Sequence, residues 1–214
     1  MNFEKERITA NVELYAQYSA IIVKRLTSNL ISGFQSLLTI DDKTRNAYFR
    51  DKGIAHARSG RYERAVSMLE SLLEAKPLDP EVMLYLGLSY IKTGHKPEGL
   101  SLLEEAHKAD KDNAKIATVL GISYVQAEEY KKALPLLRKG IKANPESFNL
   151  RYRLGVALDN IGEHDKAIES FLEAVELRPE EAKVHRSIGF AFEQKADHES
   201  ALAYFKRANE LEDS

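Results

Sequence analysis

Glycine recurs at Gly53, Gly87, Gly121, Gly155 and Gly189, each step being 34 residues. A fixed period of that length is the mark of a repeat architecture, in which one small unit is stacked again and again. Further columns keep the same register. Twelve positions after each glycine stand Ala65, Gly99, Ala133, Ala167 and Ala201, and sixteen after it come Leu69, Leu103, Leu137, Phe171 and Phe205. Nineteen after it, Leu72, Ala106, Gly140, Ala174 and Ala208 form a column in which four of five members are small.

The pattern predicts two short antiparallel helices per copy, A and B. Small residues let the two backbones approach where the helices cross, and the large residues between them fill the neighbouring holes. Pro77, Pro145 and Pro179 share the column that ends helix B, where proline cannot continue a helix. Gly60, Gly94 and Gly162 share the column between A and B, where a left-handed turn is needed.

This unit resembles the tetratricopeptide repeat, and the copy from Phe148 to Glu181 is nearly a consensus. The resemblance implies an all-α fold, a solenoid of stacked antiparallel helix pairs with the form of an arc or hook. Five copies are set at 46–79, 80–113, 114–147, 148–181 and 182–214. The segment Asp110 to Asn113, which lacks proline in the usual column, is a candidate hinge.

Residues 1–45 are expected to form a degenerate helical hairpin. Tyr15, Ser19 and Ile22 suit a helix A, but Ile31 stands in a column that is otherwise Ala or Gly. Leu30, Phe34, Leu37 and Leu38 still give a second apolar stripe at helical spacing. A hairpin that is apolar yet badly shaped for its own stack is a candidate for self-association, through Tyr15, Tyr18, Ile22, Phe34 and Leu38, with the groove of a neighbouring molecule. At the other end, Leu202 and Phe205 are expected on a final helix with nothing after it, either a slightly frayed but tolerable terminus or a contact with another subunit.

Little in the chain points to catalysis. No two of His56, His95, His107, His164, His185 and His198 make a metal-binding pair at i, i+4 with an attendant carboxylate. His164 and His198 share a column and are expected as solvated turn residues, and Asp41-Asp42 as a solvated turn. There is no cysteine, no phosphate-binding glycine loop and no nucleophile elbow, so neither an enzyme nor a cofactor or metal site is expected. Lys and Arg number 31 against 33 Asp and Glu, a net charge of -2 without a basic block, which argues against nucleic acid as a partner. The charged start Met1 to Arg7 does not read as a secretory signal, and no apolar run approaches the roughly 20 residues of a membrane span.

Function is therefore expected on the surface that helix A presents at columns 2, 5, 6, 9, 12 and 13. Leu84, Tyr85, Leu88, Ile91, Val119, Ile122 and Val125 make it apolar in the second and third copies. Lys115, Gln126, Asn149, Tyr152, Arg153, Asn160, Lys183, Arg186 and Gln194 make it basic and hydrogen-bonding towards the last two. Such a surface suits a peptide with an apolar anchor and an acidic flank. Tetratricopeptide domains that clamp chaperone tails carry asparagine at column 9 of the first copy. Here that column reads Ile54, Leu88, Ile122, Val156 and Phe190, against such a clamp.

A narrower resemblance is carried by the segments Phe49 to Glu70, Ile116 to Gln126, Tyr152 to Phe171, Lys183 to Gln194 and Phe205 to Leu211, with Tyr15 and Tyr18 in the leading part. They are similar to the magnetosome-associated tetratricopeptide proteins of magnetotactic bacteria. The resemblance implies a non-enzymatic scaffold on the cytoplasmic face of the magnetosome membrane. It would self-assemble into a homo-oligomer, recruit magnetosome membrane proteins, and meet the membrane only peripherally, through those partners. The alternative is a general bacterial tetratricopeptide adaptor for secretion or pilus assembly.

Overall fold

The computed structural model describes residues 41–73 and 79–213. The expected hairpin before residue 41, with Tyr15, Tyr18, Ile22, Phe34 and Leu38, and the proline at 77 lie outside them. Ten α-helices and no strand occur among the described residues, so the fold is all-α, a tetratricopeptide-repeat solenoid. The chain divides into two compact units, one ending at Ala109 and the other beginning at Asp110.

The first unit holds α1 (Asp42–Arg58), α2 (Tyr62–Leu69), α3 (Pro80–Lys92) and α4 (Lys96–Ala109). The second holds α5 (Ala114–Gln126), α6 (Tyr130–Ala143), α7 (Phe148–Asn160), α8 (His164–Leu177), α9 (Ala182–Gln194) and α10 (His198–Glu212). Helices A from α3 onward start 34 residues apart, and so do all five helices B. Only α1 departs, starting at Asp42, because Asp41 is its N-cap rather than part of a free turn: its carboxylate accepts from the Thr44 amide at 2.9 Å. Asp79 caps α3 through the Glu81 amide, with Pro80 in the first turn, and Asn113 caps α5 through the Lys115 and Ile116 amides.

Every A-to-B junction closes with the same pair of backbone bonds. In the first copy the Gly60 amide donates to the Ala57 carbonyl and the Arg61 amide to the His56 carbonyl. This is the Schellman motif, which satisfies helix-end carbonyls and demands a left-handed residue. Gly60, Gly94 and Gly162 supply it with φ of 75°, 97° and 85°, and Glu128 and Ala196 adopt it without glycine at 61° and 59°.

The crossings are as tight as the small columns require. A Cβ on Gly155 would lie 2.5 Å from two ring carbons of Phe171, and one on Gly189 2.6 Å from Phe205. In the second copy both partners are glycine: a Cβ on Gly87 would meet the Gly99 carbonyl oxygen at 2.9 Å, and one on Gly99 the Gly87 oxygen at 2.6 Å. Leu69, Leu103, Leu137 and Phe171 are buried beside these contacts. Each contributes about 1.5–3 kcal/mol by leaving water. Where the small column instead carries Leu72, α2 stops at Leu69 and the chain continues as a 3-10 turn over Glu70–Leu72. On α10, Leu202 is 70% exposed, while Phe205 is half-buried with its ring edge-on to Phe190 at 5.1 Å.

Candidate functional site

In the second unit, α5, α7 and α9 present one residue from each of columns 2, 6, 9 and 13, four positions per helix that rotate onto one face at helical spacing. Column 9 gives an apolar band of Ile122, Val156 and Phe190, half-buried in the first two and 53% exposed at Phe190. On one side of the band stand Lys115, Asn149, Arg153 and Lys183, and on the other the exposed amides Gln126, Asn160 and Gln194. The face therefore offers cations, an apolar strip and amide donors and acceptors in parallel rows.

Arg153 is pinned from below, its Nε donating to Asn149 Oδ1 at 3.0 Å, and it forms no ion pair among the described residues. Asn160 donates through Nδ2 to the Val156 carbonyl at 2.8 Å. Lys183 lies 5.3 Å from the Phe148 ring centroid and 5.5 Å from that of Tyr152, with Glu181 Oε1 at 3.0 Å from its Nζ. The two rings are stacked, 6.1 Å apart and 4° from coplanar, and Arg178 sits over Phe148 at 4.7 Å. Arg186 is drawn away from the face: its guanidinium is 2.5 Å from Glu212 at the end of α10.

In the first unit Leu88 is half-buried on helix A, whereas Leu84, only 2% exposed, and Tyr85 belong to the core. A group that sequence reasoning passed over occupies the same unit. Arg50 donates from Nε to Asp79 at 2.8 Å and from an Nη to Glu81 at 2.9 Å, and Arg58 donates to the other oxygen of Glu81 at 2.9 Å and to the Tyr85 hydroxyl at 2.6 Å. Of this group Arg50, Arg58 and Glu81, together with Ile54 and Ser59, line a cavity of about 650 Å³. Its signal was present as two arginines eight apart, and so on one helix face, facing an acidic helix start at Asp79 and Glu81.

The column histidines are bound in the turns. His164 Nδ1 is 2.7 Å from Asp159 Oδ1, and His198 Nδ1 is 3.0 Å from Glu193 Oε2, each joining the last turn of A to the first of B. The Glu193 hydrogen bond, then its charge, hold the His198 imidazole above its usual pKa. No group of three potential metal ligands occurs among the described residues, and none of their helices is long and apolar enough to cross a membrane.

These faces sit on repeats that known families share. A tetratricopeptide repeat model matches residues 118–182 and 160–211, and a model of the psidin N-terminal tetratricopeptide region matches 42–145. A solved MamA structure from strain MSR-1 is 54% identical, superposes with a TM-score of 0.77, and is matched over 97% of its chain by 79% of this one. The chain belongs to the MamA family of tetratricopeptide-repeat proteins. MamA from strain AMB-1 is 53% identical with a TM-score of 0.76, covering 81% of this chain and 94% of that one. A more distant MamA structure, 29% identical, still superposes at 0.69 over 79% and 92%. Among curated sequences, the magnetosome protein MamA of Magnetospirillum gryphiswaldense and that of Paramagnetospirillum magneticum are each 48% identical over 87 residues. That stretch is 41% of this chain and spans 40% of the length of those relatives.

Proposed function

We propose that the protein is a non-enzymatic interaction scaffold of the magnetosome, peripheral to the cytoplasmic face of its membrane, which self-assembles and recruits magnetosome membrane proteins. Membership of the MamA family supports the setting. The observation that carries the mode of action is the open face of α5, α7 and α9, where an arginine with no ion pair among the described residues adjoins an apolar band ending in the exposed ring of Phe190. An acidic side chain of a bound segment takes Arg153, its apolar anchor lies on Ile122, Val156 and Phe190, and Asn160 and its neighbours in column 13 hold the segment's backbone. In self-assembly the segment is supplied by residues 1–40 of a second molecule, giving a head-to-tail contact that builds rings or open assemblies.

Arg153→Glu tests the face. In a pull-down with acidic partner segments, binding should fall at least about tenfold, the effect of placing like charges opposite each other. Undiminished capture would remove the face from the account.

A further inference from the structure

Away from the helix-A face, the second unit carries two opposed charge stripes at one set of columns. Helix α6 has five cations and no carboxylate, whereas α8, the corresponding helix of the next copy, has four carboxylates and one lysine. On α6 the exposed residues Lys131, Pro135, Arg138 and Lys142 follow one another at helical spacing along one stripe. Thirty-four residues on, the same columns of α8 read Asp165, Glu169, Leu172 and Glu176, all exposed. The sign of the stripe inverts between consecutive copies around an apolar position, Leu172 being 38% exposed.

Most of these charges have no ion-pair partner among the described residues. Lys131, Arg138, Lys142, Glu169 and Glu176 form no ion pair among the described residues. Their neighbours do: Lys132 pairs with Glu129, Lys139 with Asp112, Lys166 with Glu163, Glu173 with Arg151 and Asp165 with Lys195.

We propose that the α6 and α8 stripes are a self-association surface that receives a second copy of this chain. Helices B of successive copies run the same way, so a two-fold axis parallel to them lays α6 of one molecule along α8 of the other, and α8 along α6, in a single contact. Lys142 then faces Glu176, Arg138 lies within one turn of Glu169, and Leu172 packs towards Pro135. A bilayer of anionic lipid is the poorer occupant, because the carboxylates of α8 would be pressed against it together with the cations of α6. The proposal rests on the reading of the protein as a self-assembling scaffold and adds a contact separate from the helix-A face.

Sedimentation velocity of the full chain at low ionic strength tests it. R138E/K142E and E169K/E176K each place like charges across the contact and should weaken association at least about tenfold. The four-fold charge swap, R138E/K142E/E169K/E176K, keeps the net charge and restores complementarity, so it should associate as the unaltered chain does. K206E/R207E on α10 alters net charge as much as R138E/K142E and should leave association unchanged. The proposal is overturned if either stripe variant associates normally, if the swap fails to restore association, or if K206E/R207E weakens it as much. It is also overturned if R138E/K142E assembles normally but no longer binds phosphatidylglycerol vesicles, which would make the stripe a membrane contact. Arg153 and residues 1–40 are unaltered throughout, so failure here leaves the helix-A face standing, and the reverse holds for Arg153→Glu.

Discussion

Glu128 stands at φ 61° in a column where three of five copies have glycine. A left-handed residue with a side chain costs about 1–2 kcal/mol, partly regained because glycine is freer when unfolded. Glu128→Gly should therefore stabilise the protein by roughly 0.5–1 kcal/mol, seen as a higher denaturation midpoint at unchanged slope. His198 supplies a pH effect at the same scale. Because Glu193 raises its pKa in the folded state, the pair contributes stability that is fully present below the usual histidine value near 6.5 and is lost as pH rises through the folded value. In an NMR titration Glu193→Gln should return His198 towards 6.5; an unmoved midpoint would mean that the 3.0 Å contact carries no such coupling. The turn glycines were legible in the sequence because a left-handed φ selects for glycine. Glu128 and Ala196 were not, since a repeat imposes its geometry on a copy whose own residue does not favour it.

The helix pairs were readable because crossing distance depends on side-chain volume, which recurs at a fixed period. Gly155→Ala would push a methyl to 2.5 Å from the Phe171 ring, forcing apart α7 and α8. Overpacking of that kind costs about 1–3 kcal/mol. Amide exchange should then accelerate first in α7 and α8, and retention of wild-type protection there would show that the crossing can relax. Partner choice among long side chains was not readable. Arg186 was expected on the binding face, but its fork reaches Glu212 on the following helix, a pairing 26 residues apart that no column records. The same limit hid the Arg50, Arg58 and Glu81 group, which ties α1 to α3. The basic stripe on α6 is not legible in the linear sequence, where its cations are interleaved with apolar residues, and is gathered only when the chain coils.

At the scale of the molecule, a stack of repeats buries its core between neighbours, so function is left to the surfaces that the stack presents. Two such surfaces carry the account: the helix-A face with Arg153, Phe190 and Asn160, and the paired stripes of α6 and α8. The repeat period made the fold plain, and the family match sets the protein among MamA proteins, whose curated relatives are magnetosome proteins. What the chain does there is tested most directly by imaging a fluorescent fusion in a magnetotactic cell. The full chain should align as a row along the magnetosomes, and the chain lacking residues 1–40 should spread through the cytoplasm, having lost the segment proposed to join molecule to molecule. A diffuse signal from the full chain would contradict the scaffold, and an intact row from the shortened chain would contradict its assembly through that segment.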